Sequence, residues 1–249
     1  MRSNIFGKLS DDGRKVELCI YGDIVSESWR WGMADVSSQV VLRELENENI
    51  DQIDVFINSF GGDVFEGLAI YSILKRQKAK VNVTIDGIAA SIASVIVLAG
   101  DTITMHKHSM MMIHNCWTGA TGNAKELRNT ADDLDKIMDS VNEVYMNRFT
   151  GGLEVLKTLL DNETLLSASE CMECGFCDSV INSENKESKM QMKVIQKLAQ
   201  ESKRPLTTIA KEQIQGSEGS DPKDEKGSDK PQATHKNRFY KKIGGNLHV

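Results

Sequence analysis

Residues 87–94, Gly87-Ile88-Ala89-Ala90-Ser91-Ile92-Ala93-Ser94, directly follow a β-like run from Val81 to Ile85. Small residues at such a junction allow a strand end and a helix start to pack closely, and we predict a short buried helix from Ser91 to Ala99. Ser91 then has two interpretations. It caps the helix N-terminus, which is the commonest role for serine there, or its hydroxyl acts as a nucleophile where the helix dipole favours negative charge.

A histidine that complements a nucleophilic serine comes 23 residues later, where His114 ends the apolar run 110–113. An imidazole at that position is able to act as a general base, although a lone histidine that ends a strand is more often a satisfied core group. His106 and His108 are competitors, but they flank a lysine in a polar turn, where surface histidines are ordinary.

A glycine turn upstream supplies the third part of the pattern. Gly61 and Gly62 follow a strand-like segment that ends at Ile57, and their N–H groups are able to bind an oxyanion together with the N–H of Ile92. The alternative is a tight connection between strand and helix with no catalytic role. A hydroxyl nucleophile, an imidazole base and an amide hole are the parts of serine acyl-transfer chemistry.

Strand and helix patterns alternate along the body of the chain. Repeated β-α units with short turns predict an α/β fold with a parallel sheet. We predict strands around Val16–Ile20, at 53–57, 81–85, 103–105 and 110–113, and helices at 36–48 and 64–76, the first with Val36, Val40, Leu42 and Leu45 facing inward.

A long amphipathic helix is predicted from Ala124 to Phe149, with apolar residues recurring at three- and four-residue steps. At 1.5 Å per residue it is roughly 39 Å long. It either lies across its own domain or forms an arm that contacts a second subunit. The preceding run 116–121 is predicted as a strand beside which an extended substrate would lie.

Charge divides the chain into two parts. Residues 1–183 carry 16 Lys and Arg and 27 Asp and Glu, a net charge of −11, whereas residues 184–249 carry 14 and 9, a net charge of +5. An acidic body argues against nucleic acid as the main partner. We predict one domain over 1–183 and a charged, partly disordered tail over 184–249, where 215–228 is typical of a linker.

The sequence shows neither a stretch of ~18–20 apolar residues nor a signal peptide, so we expect a cytoplasmic protein with reduced cysteines. The spacing of Cys171, Cys174 and Cys177 is compatible with metal binding. We reject that interpretation because no fourth ligand is near in the sequence, and we expect no metal and no cofactor.

Four segments resemble, in order and spacing, the ClpP family of serine peptidases, and more narrowly its phage branch, the head maturation (prohead) proteases. They are Ile57-Asn58-Ser59-Phe60-Gly61-Gly62, Gly87-Ile88-Ala89-Ala90-Ser91, Met112-Ile113-His114-Asn115 and Leu166-Ser167-Ala168-Ser169-Glu170. The last is followed by Gly175-Phe176-Cys177-Asp178. The Trp29-Arg30-Trp31 insertion looks more like the phage branch than like housekeeping ClpP.

The resemblance implies a ClpP/crotonase-like fold with a long protruding helix, Ser91 as the nucleophile and His114 as the base. Two positions depart from the family pattern. Phe60 stands where the family usually has proline, which should loosen the turn. The family's acid is usually aspartate, and here its position carries Glu163, with Asp161 as the alternative.

The resemblance further implies an ATP-independent endopeptidase that cleaves capsid, scaffold or portal proteins, in the host cytoplasm or in the assembling prohead. It would form a ring-shaped homo-oligomer. The alternatives are a housekeeping ClpP subunit working with an AAA+ unfoldase, an inactive ClpP-like scaffold, and a crotonase-type acyl-CoA enzyme that shares the fold and the amide hole.

Overall fold

The computed structural model describes residues 7–10, 12–30, 35–46 and 49–182. Its strands are β1 Gly7–Leu9, β2 Lys15–Ile20, β3 Gln52–Ser59, β4 Lys80–Ala90, β5 Thr102–His106, β6 Met110–Ile113, β7 Thr164–Ser167 and β8 Ser179–Ile181. Its helices are α1 Ser38–Glu44, α2 Val64–Lys75, α3 Ile92–Val97, α4 Ala124–Met146, α5 Leu153–Asp161 and α6 Ala168–Glu173. The predicted tail over 184–249 lies outside the described residues, and the predicted domain division stays a prediction.

The described strands form one sheet in which parallel pairing predominates, as the β-α pattern predicted. The order is β1-β2-β3-β4-β5-β8, and β6 pairs with both β4 and β7. Only β1–β2 and β6–β7 are antiparallel among the described pairs. The mixed α/β architecture with a parallel-rich sheet is therefore confirmed.

Strand β4 changes neighbours along its length, and this positions the site. Its first part, Asn82–Ile85, pairs with β5, and its last part, Ile88–Ala90, pairs with β6. Because parallel strands bring their carboxyl ends to one edge of a sheet, the residues that follow β4 and β6 become neighbours. Those residues are Ser91 and His114.

The hydrophobic core lies on one face of the sheet. Alternate residues of the central strands, such as Val81, Val83 and Ile85, are buried, as expected for the period of two in a strand. Helix α3 is buried at every position, which explains why all of its residues except Ser94 are apolar. It packs between the sheet and its neighbouring helices.

The predicted first helix is partly wrong. Helix α1 begins at Ser38, because the Ser37 side chain accepts a hydrogen bond from the N–H of Val40 and caps the helix. Val36 precedes the helix and forms a parallel bridge with Ile24. Leu42 is 44% exposed, since two residues along a helix turn a side chain by about 200°, away from the face that buries Val40.

The long helix is confirmed but ends at Met146, three residues before the predicted end. Its second half packs into the core through residues including Met138, Val141 and Tyr145. Its first half is solvent-exposed, including Leu127 at 44%. The amphipathic stripe therefore meets the chain's own core only in the second half of the helix.

The strand predicted at 116–121 is absent: residues 115–123 form irregular coil without ladder pairing. Small residues explain this, because a Cβ added at Gly119 would meet no atom within 4 Å. Cys116 at the start of the coil still packs against the core, but at Gly119 no neighbouring side chain holds the backbone in a strand.

An ion pair joins the end of α4 to the sheet. Arg148 contacts Asp178 at 2.8 Å and also donates to the carbonyl of Gly100. Asp178 accepts a second bond, from the N–H of Ile103. Burial alone would raise the pKa of Asp178, but the bonds from Arg148 and Ile103 outweigh it and lower the pKa.

Candidate active site

Ser91 sits between β4 and α3 in a strained backbone conformation. Its φ of 57° and ψ of −132° are unusual for a residue with a side chain. Although Ser91 occupies the N-cap position of α3, its side chain makes no capping hydrogen bond. The interpretation of Ser91 as an ordinary helix cap is therefore wrong for its hydroxyl. Strain of this kind persists only where surrounding structure imposes it, and it is frequent at active sites.

The Ser91 hydroxyl instead contacts the imidazole of His114. Ser91 Oγ lies 2.7 Å from His114 Nε2. His114 Nδ1 lies 2.6 Å from the carbonyl oxygen of Asn115. A carbonyl oxygen only accepts hydrogen bonds, so Nδ1 carries a proton and, in the neutral ring, Nε2 is the acceptor. The Ser91 hydroxyl thus donates to Nε2, which is the protonation pattern that a general base requires.

The fold brings both predicted acids, Asp161 and Glu163, close to His114. Asp161 accepts a hydrogen bond of 2.6 Å from the Asn115 side chain, so it holds the residue whose carbonyl orients the imidazole. Glu163 directly precedes β7, and Thr164 in β7 pairs antiparallel with Ile113 in β6. Continued by one residue, this register puts Glu163 opposite His114. Glu163 itself has a positive φ of 49°, which ends the strand there.

The glycine turn packs against Ser91 so closely that a side chain would not fit. A Cβ added at Gly61 would lie 2.8 Å from both the carbonyl oxygen of Ala90 and the Cβ of Ser91. A Cβ added at Gly62 would lie 2.0 Å from the carbonyl oxygen of Ile24. Both glycines also have positive φ values, 96° and 152°. At both positions glycine is therefore required for two reasons, the lack of space for a Cβ and the positive φ.

Backbone bonds hold this turn without a proline. Ile24 donates to the carbonyl of Gly61 at 2.9 Å and accepts from the N–H of Asp63 at 2.7 Å. Ser59 Oγ accepts from the N–H of Gly61 at 3.1 Å. The Gly61 N–H is thus engaged within the turn.

Helix packing fixes the residue after Ser91. A Cβ added at Gly67 in α2 would lie 2.2 Å from Ile92 Cγ1. The missing side chain therefore lets α2 press directly on the start of α3. Ile92 is 4% exposed, and its N–H lies 3.2 Å from the Cβ position of Gly61. The N–H of Ile92 and the glycine turn are thus adjacent, as predicted.

The competing histidines belong elsewhere. His106 ends β5, where its Nε2 lies 3.2 Å from Asp86 Oδ1. Its ring stacks on that of His108 at 5.4 Å between centroids. Tyr21 donates a hydrogen bond to the same Asp86. These contacts form a separate polar cluster on the sheet.

The three clustered cysteines are free thiols in and around α6. Cys171 and Cys177 are buried, and burial raises the pKa of Cys177 to about 11. Within the described residues, no group of three or more His, Cys, Asp or Glu side chains is arranged to hold a metal ion. Nor is any helix there long and apolar enough to cross a membrane.

Sequence reasoning missed several residues that shape the site. Asn115 acts through its backbone carbonyl, and Ser59 and Ile24 hold the glycine turn. Backbone hydrogen bonds leave no trace in residue type, so Asn115 was recognisable only as part of the segment 112–115, and nothing in the sequence pointed to the role of Ile24. Ser59 was visible only as part of the segment that precedes the glycines.

Comparison with known proteins shows the family to which this chain belongs. A family model described as Clp protease matches residues 19–184. Over 149 residues the chain is 31% identical to ATP-dependent Clp protease proteolytic subunit 1 of Prochlorococcus marinus (strain NATL2A), which covers 59% of this chain and 76% of the relative. The chain belongs to the Clp protease family. Members of this family are oligomeric peptidases that act on polypeptides.

Proposed function

We propose that this chain is a serine endopeptidase in which Ser91 is the nucleophile and His114 the general base. The observation that carries the proposal is the 2.7 Å contact between Ser91 Oγ and His114 Nε2. The strained backbone of Ser91 supports it. In the reaction, Ser91 Oγ attacks the scissile carbonyl while His114 takes its proton and passes it to the leaving amine. Water then attacks the acyl-enzyme while His114 takes its proton, and His114 returns that proton to Ser91 Oγ as the acyl group leaves.

We assign the acid to Glu163, with Asp161 in a supporting role. The strand register favours Glu163, since its neighbour Thr164 pairs with the residue before His114. Because His114 Nδ1 already donates to the Asn115 carbonyl, the role proposed for the Glu163 carboxylate is to stabilise, by its negative charge, the imidazolium that forms. Asp161 instead acts through Asn115, whose carbonyl faces the same nitrogen.

The oxyanion donors in this proposal are the N–H groups of Gly62 and Ile92. Gly61 was predicted as a donor too, but its N–H already donates to Ser59. Its role is then to allow the glycine turn to approach Ser91. Preorganised backbone donors of this kind typically contribute a factor of about 10²–10³ in rate.

An extended polypeptide is the substrate that fits this site. The coil 115–123 begins beside His114 and is exposed from Trp117 onward. It contains small residues, such as Gly119, that leave space for a second backbone. In the proposal, a bound peptide pairs with this coil and orders it as a strand.

The narrower biological role that we propose is ATP-independent cleavage of capsid, scaffold or portal proteins during phage head maturation. It is supported by the resemblance of the Trp29-Arg30-Trp31 segment to the phage branch and by the 65 residues that follow the family match. A ring-shaped homo-oligomer in the cytoplasm belongs to the same proposal. The exposed first half of α4 offers a surface for contact between subunits.

A second candidate is a ClpP subunit that receives substrates from an AAA+ unfoldase. The name of the Prochlorococcus relative, an ATP-dependent protease subunit, favours it. Cleavage of an unfolded capsid precursor by the purified chain, without nucleotide or partner, is the result expected of a head maturation protease. A strict requirement for an unfoldase and ATP would favour the second candidate.

Labelling with a fluorophosphonate tests the chemistry itself. The probe is expected to label the wild-type chain at one site, and Ser91→Ala is expected to abolish labelling. Ser72→Ala is the matched control, because Ser72 lies on α2 and donates only to the carbonyl of Leu68. Equal labelling of wild type and Ser91→Ala would remove Ser91 as the nucleophile.

A further inference from the structure

A buried polar chain runs from α4 to the backbone of Ser91. Ser94 Oγ lies 2.5 Å from the carbonyl oxygen of Ser91 and 2.7 Å from the hydroxyl of Tyr145. Ser94 is 0% exposed and Tyr145 is 1% exposed. Polar groups this deeply buried are costly unless they are hydrogen-bonded, so their arrangement is specific.

The chemistry of the three groups sets the direction of the chain. The Ser91 carbonyl only accepts, so the single hydroxyl proton of Ser94 goes to it. Ser94 Oγ must then accept, and the Tyr145 hydroxyl donates. Burial raises the pKa of Tyr145, which keeps the phenol protonated as a donor. Consecutive hydrogen bonds of this kind polarise and strengthen one another.

The carbonyl at the end of this chain belongs to a peptide unit that matters to the proposed reaction. The Ser91 carbonyl and the Ile92 N–H are two ends of one planar group. Holding the carbonyl therefore also fixes the direction in which the Ile92 N–H points. The Ser94 N–H donates to the same carbonyl at 3.0 Å, so the carbonyl receives donors from both the backbone and the side chain of Ser94.

We propose that Ser94 and Tyr145 are positioning residues, which anchor the Ser91–Ile92 peptide so that its N–H faces the developing oxyanion. This inference rests on the proposed function of Ser91. Tyr145 is a firm anchor, since its ring packs against Phe176 at 5.7 Å between centroids and Phe176 packs against Phe149 at 5.3 Å. The long helix is thereby linked to the nucleophile.

Saturation kinetics of fluorophosphonate labelling test this role. In these variants the Ile92 N–H would be displaced, and this group stabilises the transition state rather than the bound probe. The maximal labelling rate should therefore fall, while the half-saturating probe concentration stays the same. We expect about a tenfold fall or more for Ser94→Ala, equal to at least about 1.4 kcal/mol. Tyr145→Phe should produce a smaller fall in the same direction.

The double variant separates positioning from stability. Ser94→Ala alone leaves the Tyr145 hydroxyl buried without its partner, whereas adding Tyr145→Phe removes that unpaired group. The double variant should therefore be thermally more stable than Ser94→Ala but label just as slowly. A maximal rate that recovers along with stability would overturn the inference.

The chain offers a matched control for the lost hydrogen bond. Ser109 is 1% exposed and donates to a carbonyl three residues earlier, that of His106, at 2.8 Å. Ser109→Ala should label at the wild-type rate. If Ser91→Ala abolishes labelling but Ser94→Ala and Tyr145→Phe label like wild type, only this inference fails. If labelling persists in Ser91→Ala, or wild type takes no label, the proposed function fails and this inference with it.

Discussion

Replacing Gly61 with alanine should disable the site more than it unfolds the protein. Two costs arise from the structure. A positive φ of 96° at Gly61 is strained for any residue with a Cβ, which costs about 1–3 kcal/mol. The new Cβ would also lie 2.8 Å from the Ala90 carbonyl oxygen and from Ser91 Cβ, and overpacking of this kind costs typically about 1–3 kcal/mol.

Gly152 provides the control that separates these two costs. Its φ is 83°, similar to that of Gly61, but a Cβ added there would meet no atom within 4 Å. Gly152→Ala should therefore show only the conformational cost of about 1–3 kcal/mol. Gly61→Ala should show the sum, about 2–6 kcal/mol. Both free energies of unfolding are measured by urea denaturation.

The effect on the site should differ far more than the effect on stability. Relief of the contact at Gly61 requires Ser91 or the turn to move, and displacement by about 1 Å costs about 100-fold in rate. Fluorophosphonate labelling under native conditions should fall by that factor in Gly61→Ala and stay at the wild-type rate in Gly152→Ala. Wild-type labelling by Gly61→Ala, or equal destabilisation by the two substitutions, would refute this reasoning.

Four further outcomes are expected. Glu163→Gln should lower the labelling rate by more than Asp161→Asn does, because Asp161 acts on His114 only through Asn115. The reverse order would assign the role of the acid to Asp161 instead. Arg148→Met should destabilise the protein by about 1–2 kcal/mol near neutral pH. The pKa of Asp178 is lowered in the folded state, so its stabilisation is present above about pH 4 and is lost as the pH falls through the folded-state value. The difference in urea midpoint between wild type and Arg148→Met should therefore shrink in acid, and a pH-independent difference would contradict that account. Cys177 should react slowly with a thiol reagent at neutral pH, since burial raises its pKa to about 11. Finally, EDTA should leave the melting temperature of the protein unchanged. A lowered melting temperature would restore the interpretation of the three cysteines as metal ligands.

Much of the fold was accessible from the sequence because local patterns carry it. Alternating apolar residues in β2 and the small and apolar residues around α3 identified their elements without any tertiary information. The errors fell where local pattern and packing disagree. Leu42 fits an apolar stripe but faces solvent, and residues 116–121 read as a strand although no neighbouring strand pairs with them.

The candidate site was only partly accessible in the same way. Ser91 and His114 were proposed from their segments, and the structure brings Ser91 Oγ and His114 Nε2 to 2.7 Å. The Ser94–Tyr145 pair was not foreseen, because Tyr145 counts in the sequence merely as one member of an apolar stripe. Its hydroxyl gains a function only when folding brings α4 against α3.

Residue order and periodicity alone specified an α/β chain with a serine, a histidine and two glycines in the right succession. The tertiary structure decided which nitrogen of His114 faces Ser91 and that Ser91 adopts a positive φ. It also decided that Tyr145 of α4 is linked through Ser94 to the Ser91 carbonyl. The physical reason is that these features depend on backbone acceptors and on contacts between residues far apart in the chain. Neither kind of feature can be deduced from residue type or from local spacing.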